Sequence, residues 1–233
     1  MNRREFLKNG LVFTASAGTL LTGLESFAEE KPALPKQPKR IFLTIDDGPS
    51  YYTEQILRNL NGENAIFYFI GKQLKTQREK AYKVLEAGSI IGNHSYSHPD
   101  FKRLSFAKAV EQFERTEELI EEAYAHLGIR RIRKFFRFPY GSSRADIKEF
   151  IKSQESEIQF WDIDTLDWRY YSKKSPLSAG TIMKNCSEAQ DGDIVLVHER
   201  GFTTAQIIPF YVNSRKYDLA IPFMAQDKMP ELY

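Results

Sequence analysis

His94 and His98 stand four residues apart in the stretch GNHSYSHPD and make up half of the four histidines in this 233-residue chain. Side chains at i and i+4 of a helical turn share a face, with β-carbons about 5–6 Å apart, close enough for two imidazoles to bind one metal ion. Pro99 pushes His98 toward extended geometry, so the turn ends there and the pair belongs to a loop. Two loop histidines can equally be plain solvated side chains, so their company decides the reading.

That company is polar and titratable. Asp46 and Asp47 follow an apolar run in LTIDDGPS, and Arg137 ends another in FFRFPYG. Asp164 and Asp167 follow a third in WDIDTLDW, and His198 closes a fourth in IVLVHE. One carboxylate with two imidazoles makes a His–His–Asp donor set, and three protein ligands leave a coordination position open for water. An open zinc site of that kind activates water and polarises a carbonyl. The second carboxylate is then free as general base, and His198 could be the acid that protonates a leaving amine or alcohol. Successive side chains on a strand point to opposite sides, so Asp46 and Asp47 should not share one job. A carboxylate such as Asp167 could orient the His198 imidazole and raise its pKa. Arg137 near a base would hold that carboxylate ionised. In FPYG the fixed proline and permissive glycine suit a rigid turn that could present a backbone N–H to an oxyanion.

Each group has a plainer alternative. DDGP is a common turn, Arg137 could snorkel to the surface, and Asp164 and Asp167 could cap turns beside core Trp161 and Trp168. His126, near the end of a helical stretch and beside Gly128, reads as a dipole-complementing residue outside the set.

The elements that position these groups are legible as alternating apolar runs and helix signals. Seven strands are predicted at 41–45, 65–70, 89–92, 135–138, 158–163, 194–197 and 217–222. Helices are predicted over 53–61, stopped by Gly62, and over 76–87, stopped by Gly88. The longest starts at Ser105, a suitable N-cap, and ends before Gly128. Its apolar stripe runs through Phe106, Val110, Phe113, Ile120, Tyr124 and Leu127. Shorter helices fit 145–153, 178–186 and 204–213. Strands alternating with helices predict an α/β protein with a mostly parallel sheet, either closed into an irregular barrel or open and doubly wound. Both architectures place chemistry at the carboxyl ends of strands. The suspicious polar residues fall at five such ends, a sorting that scattered surface charge would not produce.

The length suits one domain, or at most two small ones. A chain with 42% hydrophobic and 13% aromatic residues is globular rather than disordered. The net charge of +2 gives no electrostatic case for nucleic acid or an anionic membrane. The single cysteine, Cys186, excludes an internal disulfide and any cysteine-based zinc cluster. Residues 1–28 read as a signal peptide with cleavage near Ala28. Arg3 and Arg4, followed by Phe6, Leu7 and Lys8, resemble a twin-arginine export signal. The apolar segment is too short, and too rich in Thr, Ser and Gly, for a membrane span of about 20 apolar residues. Export to the periplasm or the medium is therefore expected, without stable membrane insertion after cleavage. Residues 29–39 read as a flexible leader, and 40–233 as the catalytic domain.

The motifs TIDDGPS, HSYSH, RFPYG, DTLDW and LVH, in this order between about Thr44 and His198, resemble the polysaccharide deacetylases of carbohydrate esterase family four, the NodB-homology domain. The resemblance implies a distorted (β/α)7 barrel. It implies that Asp46 is the base and that Asp47, His94 and His98 bind a divalent metal, usually zinc. Arg137 would pair with the base, and the Tyr140 backbone N–H would join the oxyanion site. Asp167 would tune His198, the acid, while Trp168 and Leu196 would line the acetyl pocket. Ile45, where the family often has Phe, and Glu199, where Asp is common, are mild departures. The implied substrate is an acetylated polysaccharide of the N-acetylglucosamine type, such as peptidoglycan, chitin or poly-N-acetylglucosamine, with release of acetate. An O-acetyl esterase on xylan would use the same site, and a non-catalytic carbohydrate-binding descendant is the third reading.

Overall fold

The computed structural model describes residues 37–221. Its strands are β1 (Lys39–Gly48), β2 (Ile66–Phe69), β3 (Ile90–Asn93), β4 (Lys134–Phe136), β5 (Ser156–Ile158), β6 (Ile163–Asp164) and β7 (Ile194–His198), with β8 (Tyr217–Leu219) last. The first seven form one continuous sheet in the order β5-β4-β3-β2-β1-β7-β6, and every pairing is parallel. β8 pairs with Lys39–Ile41, at the start of β1. The ends of the order, β5 and β6, are not joined, so the sheet is a half-barrel, matching the distorted (β/α)7 architecture.

Alternation along β1 sorts its side chains between two faces. Ile41, Leu43 and Ile45 pack with Phe67, Phe69, Ile91, Val195 and Val197 in the main core, and each is essentially inaccessible to water. Burial of one such side chain contributes about 1.5–3 kcal/mol. Thr44 and Asp46 take the other face, where both meet Arg137.

The helices are α1 (Thr53–Leu60), α2 (Gly71–Thr76), α3 (Arg78–Glu86), α4 (Phe106–His126), α5 (Ala145–Ser153), α6 (Ala179–Ser187) and α7 (Ile208–Asn213). Ser105 caps α4, its side chain accepting from Lys108 N at 3.3 Å. The expected helix over 76–87 starts later, as α3, because Gln77 (φ −132°) breaks the chain after α2. The stretch 204–213 divides into a π-helical turn over Thr203–Ile207 and α7. Pro209 lacks the N–H that a continuous α-helix would use there.

One predicted strand is corrected. The run 158–163 alternates as a strand would, but Ile158 ends β5 at one sheet edge and Ile163 begins β6 at the other. Residues 159–162 carry the chain across the gap in the barrel. Gln159 N donates to Phe136 O and Asp162 N to Ile194 O, both at 2.9 Å, so the crossing is tied at both ends.

Among the described residues no helix is long and apolar enough to cross a membrane. The expected signal peptide, residues 29–36 of the leader and residues 222–233 lie outside the described residues. Lys39, the last residue of the expected leader, is already in β1.

Candidate active site and metal centre

A cleft of about 840 Å³ opens where the strands end. Asp46, Asp47, His94, His98, Tyr140, Trp168, Leu196 and His198, all singled out from the sequence, line it. Arg137 and Asp167 lie behind the lining, with side chains fully buried. Among the described residues, seven non-glycine positions have positive φ. Five of them lie at or just past strand ends: Asp47 at the end of β1, and Ser95, His98, Tyr140 and Leu166 in the segments that follow β3, β4 and β6. Such backbone costs of order 1–3 kcal/mol per residue and clusters at functional sites.

Asp47, His94 and His98 each offer a ligand atom, and these atoms lie within 4.8 Å of one another. Asp47 Oδ1 is 3.3 Å from His98 Nε2 and 3.8 Å from His94 Nε2. His94 Nδ1 is 2.9 Å from the Arg137 carbonyl oxygen. A carbonyl only accepts, so Nδ1 carries the proton and Nε2 presents its lone pair to the cleft. Burial, above all, pushes the His94 pKa down to about 3, which keeps the ring neutral. Asp47 Oδ1 is buried and has no hydrogen-bond partner among the described residues. A buried anionic oxygen without a donor is costly, and a divalent cation between the imidazoles would satisfy it. The donor set fits such an ion.

Two local expectations are corrected here. His98 is left-handed (φ 59°), not extended, and its N–H donates to Ser95 Oγ at 3.1 Å. It still lies in a loop, as expected. Simple alternation would also send Asp46 and Asp47 to opposite sides. The left-handed backbone of Asp47 (φ 70°) and a register shift between Asp46 and Gly48 bring both carboxylates to one place. Asp46 Oδ2 lies 3.5 Å from His94 Nε2.

Arg137 does not snorkel. Nη1 donates to Asp46 Oδ1 at 2.9 Å and to Thr44 Oγ1 at 2.7 Å. Nε donates to Gln159 O at 3.2 Å and Nη2 to Phe160 O at 3.0 Å, which ties the guanidinium to the segment crossing the barrel gap. The Tyr68 ring lies 4.3 Å from its central carbon. Burial raises the Asp46 carboxyl above the ordinary carboxylate range, with Arg137 opposing the shift.

His198 pairs in register with Asp46 across β1 and β7. Its Nδ1 is 2.8 Å from Asp167 Oδ1, which turns Nε2 outward. Asp167 Oδ2 accepts from His198 N at 2.8 Å and from Thr203 Oγ1. Burial disfavours the imidazolium, but Asp167, with Asp47 and Asp46 beyond it, outweighs burial and raises the pKa to about 9. Burial also opposes ionisation of Asp167, and His198 and Thr203 overcome it, holding that carboxyl low. Asp164 caps the following turn, its Oδ1 accepting from Leu166 N at 2.9 Å.

Tyr140 occupies a turn over Pro139–Gly141 with φ 58°, and its exposed ring packs edge-on against His98. Leu196 lies on β7, and Trp168 is 44% exposed at the cleft wall. Among the other lining residues, Trp161 and Arg200 had no role in the sequence reading of the site, and Glu199 entered it only as a departure from the family pattern. Glu199 directly follows His198, and that adjacency was the available signal. Its buried carboxylate accepts from Ser50 N at 2.9 Å, from Ser50 Oγ and from Thr53 Oγ1.

The half-barrel of parallel strands is the fold of the carbohydrate esterase family four. The solved family 4 carbohydrate esterase from Streptomyces lividans in complex with acetate matches 78% of this chain and 92% of its own, with TM-score 0.68 and 27% identity. The polysaccharide deacetylase family model matches residues 33–157, and the chain belongs to that family. The peptidoglycan-N-acetylmuramic acid deacetylase PdaC of Bacillus subtilis is 31% identical over 77% of this chain and 36% of its own length. A peptidoglycan-N-acetylglucosamine deacetylase of Bacillus cereus is 29% identical over 70% of this chain and 57% of its own. The chain thus spans between a third and three fifths of these curated relatives. A structure described as a family pseudoenzyme from Bacillus anthracis also matches, covering 78% of this chain and 63% of its own at TM-score 0.64 and 25% identity.

Proposed function

We propose that the protein is a metal-dependent hydrolase that removes N-acetyl groups from N-acetylglucosamine-containing polysaccharide and releases acetate. Because the family includes a pseudoenzyme, the fold alone does not carry this reading. The observation that carries it is the register pairing of Asp46 with His198 beside the Asp47–His94–His98 donor set. It puts a carboxylate and a protonated imidazole side by side over one candidate ion site.

A divalent ion bound there, zinc by the chemistry of the donors, supplies Lewis acidity for the acetyl carbonyl. Asp46 takes the proton of the attacking water, with Arg137 fixing its Oδ1 and leaving Oδ2 toward the cleft. His198, held by Asp167, gives the Nε2 proton to the departing amine nitrogen. The Tyr140 N–H faces the developing oxyanion, and Trp168 and Leu196 close around the acetyl methyl. In the names of the relatives, peptidoglycan recurs, which favours a cell-wall glycan as substrate.

Acetate release is to be measured from peptidoglycan, chitooligosaccharides, poly-N-acetylglucosamine and acetylated xylan. Release from the N-acetylated glycans is the expected result. Release from xylan alone would make the protein an O-acetyl esterase, and release from none would make it a binding protein.

A wall substrate accords with export, and the Arg3–Arg4 segment supports the twin-arginine route to the periplasm or beyond. Changing both arginines to lysine should hold the precursor in the cytoplasm. Continued export of that variant would indicate the general secretory route.

A further inference from the structure

We infer that Arg200 is a positioning residue for the candidate metal centre: it holds one carboxylate oxygen of Asp47, so that only the other is free to ligate. The inference rests on the metal reading above. Arg200 Nη2 donates to Asp47 Oδ2 at 3.0 Å. Asp47 Oδ1 lies toward the imidazoles of His98 and His94, buried and without a hydrogen-bond partner among the described residues. The two oxygens of one carboxylate therefore have different surroundings.

A free carboxylate has no such division. It can give a cation one oxygen or both, and the torsion that exchanges the two is broad and soft. The ion pair removes that freedom. Arg200 is itself delivered by a clamp. Glu199 N donates to Asp46 O at 3.0 Å, while its carboxylate accepts from Ser50, on the loop after β1, and from Thr53, at the start of α1. On the other side, the Arg200 carbonyl accepts from Thr204 N at 2.9 Å and Thr204 Oγ1 at 2.8 Å. Outer partners of this kind orient the ligands of a metal and tune it. The Arg200 side chain is 47% exposed, and an ion pair that open adds little to fold stability. Its effect belongs to the coordination.

The test uses Co²⁺ bound to the full-length wild type, to Arg200→Met and to Arg200→Gln, read by visible d–d absorption. These bands weaken as the coordination number rises. Both variants should fold, with unfolding temperatures close to wild type. Their bands should fall several-fold in intensity as Asp47 Oδ2 joins the ion. Spectra identical to wild type in both variants would overturn the role of Arg200 alone. Failure of the wild type to take up one equivalent of Co²⁺ would instead remove the metal reading, and the role of Arg200 with it.

Discussion

Arg137, just past the end of β4, reaches Asp46 on β1, three strands away in the sheet order, with Nη1 and Oδ1 2.9 Å apart. Both side chains are almost wholly buried. The same guanidinium holds the carbonyls of Gln159 and Phe160, which span the open side of the barrel. One residue thus fixes the proposed base and laces the seam of the fold. Arg137→Ala leaves a buried carboxylate unpaired, and breaking a buried pair in this way costs about 3–5 kcal/mol. At roughly 2–4 °C per kcal/mol for a domain of this size, the melting temperature should fall by about 6–20 °C. A calorimetric scan within ~2 °C of wild type would show that the seam does not depend on Arg137.

Protonation of His198 gives a second expectation. With its pKa raised to about 9, the imidazolium persists through neutral pH and is lost on the alkaline side. Asp167→Asn removes the negative neighbour that favours the charged ring, so the His198 pKa falls. The alkaline limb of kcat/KM should move to lower pH, while the acid limb stays in place. An alkaline limb unmoved by this substitution would assign the proton to another group.

Adjacent Asp46 and Asp47 should separate when each is changed to Asn. Asp46→Asn leaves Asp47, His94 and His98 intact, so zinc content should stay near one equivalent. Turnover should nevertheless drop by about 10²–10⁴-fold, the usual worth of a positioned general base. Asp47→Asn removes the anionic donor, and metal and activity should be lost together, as in His98→Ala. Equal metal loss in the two Asn variants, measured by elemental analysis beside acetate release, would break this division of labour.

Much of the rim was legible because strand ends are punctuated by residue type. LTIDD, IVLVH and FFRF each run from apolar to titratable within a few residues, and β1, β7 and β4 end accordingly. Helix α4 was equally plain, since its Ser105 cap and apolar spacing are local signals. What stayed hidden depends on closure of the barrel. Nothing local in IQFWDI says that its two ends belong to opposite sheet edges, because alternation describes both halves equally well. The left-handed backbone at Asp47, His98 and Tyr140 was also invisible, since no glycine marks those positions. Arg200 lies beyond the last motif, and only the fold brings it to Asp47, 153 residues earlier in the chain.

The central claim is that this chain hydrolyses an acetamide by using the ion site of Asp47, His94 and His98. The most direct measurement follows acetate release from an N-acetylglucosamine oligomer by the purified protein, before chelation, after exhaustive chelation and after return of one equivalent of Zn²⁺. The account predicts release that is lost with the metal and restored by it. Full activity in the metal-free protein, or none in the zinc-loaded protein on any acetylated glycan, would contradict it.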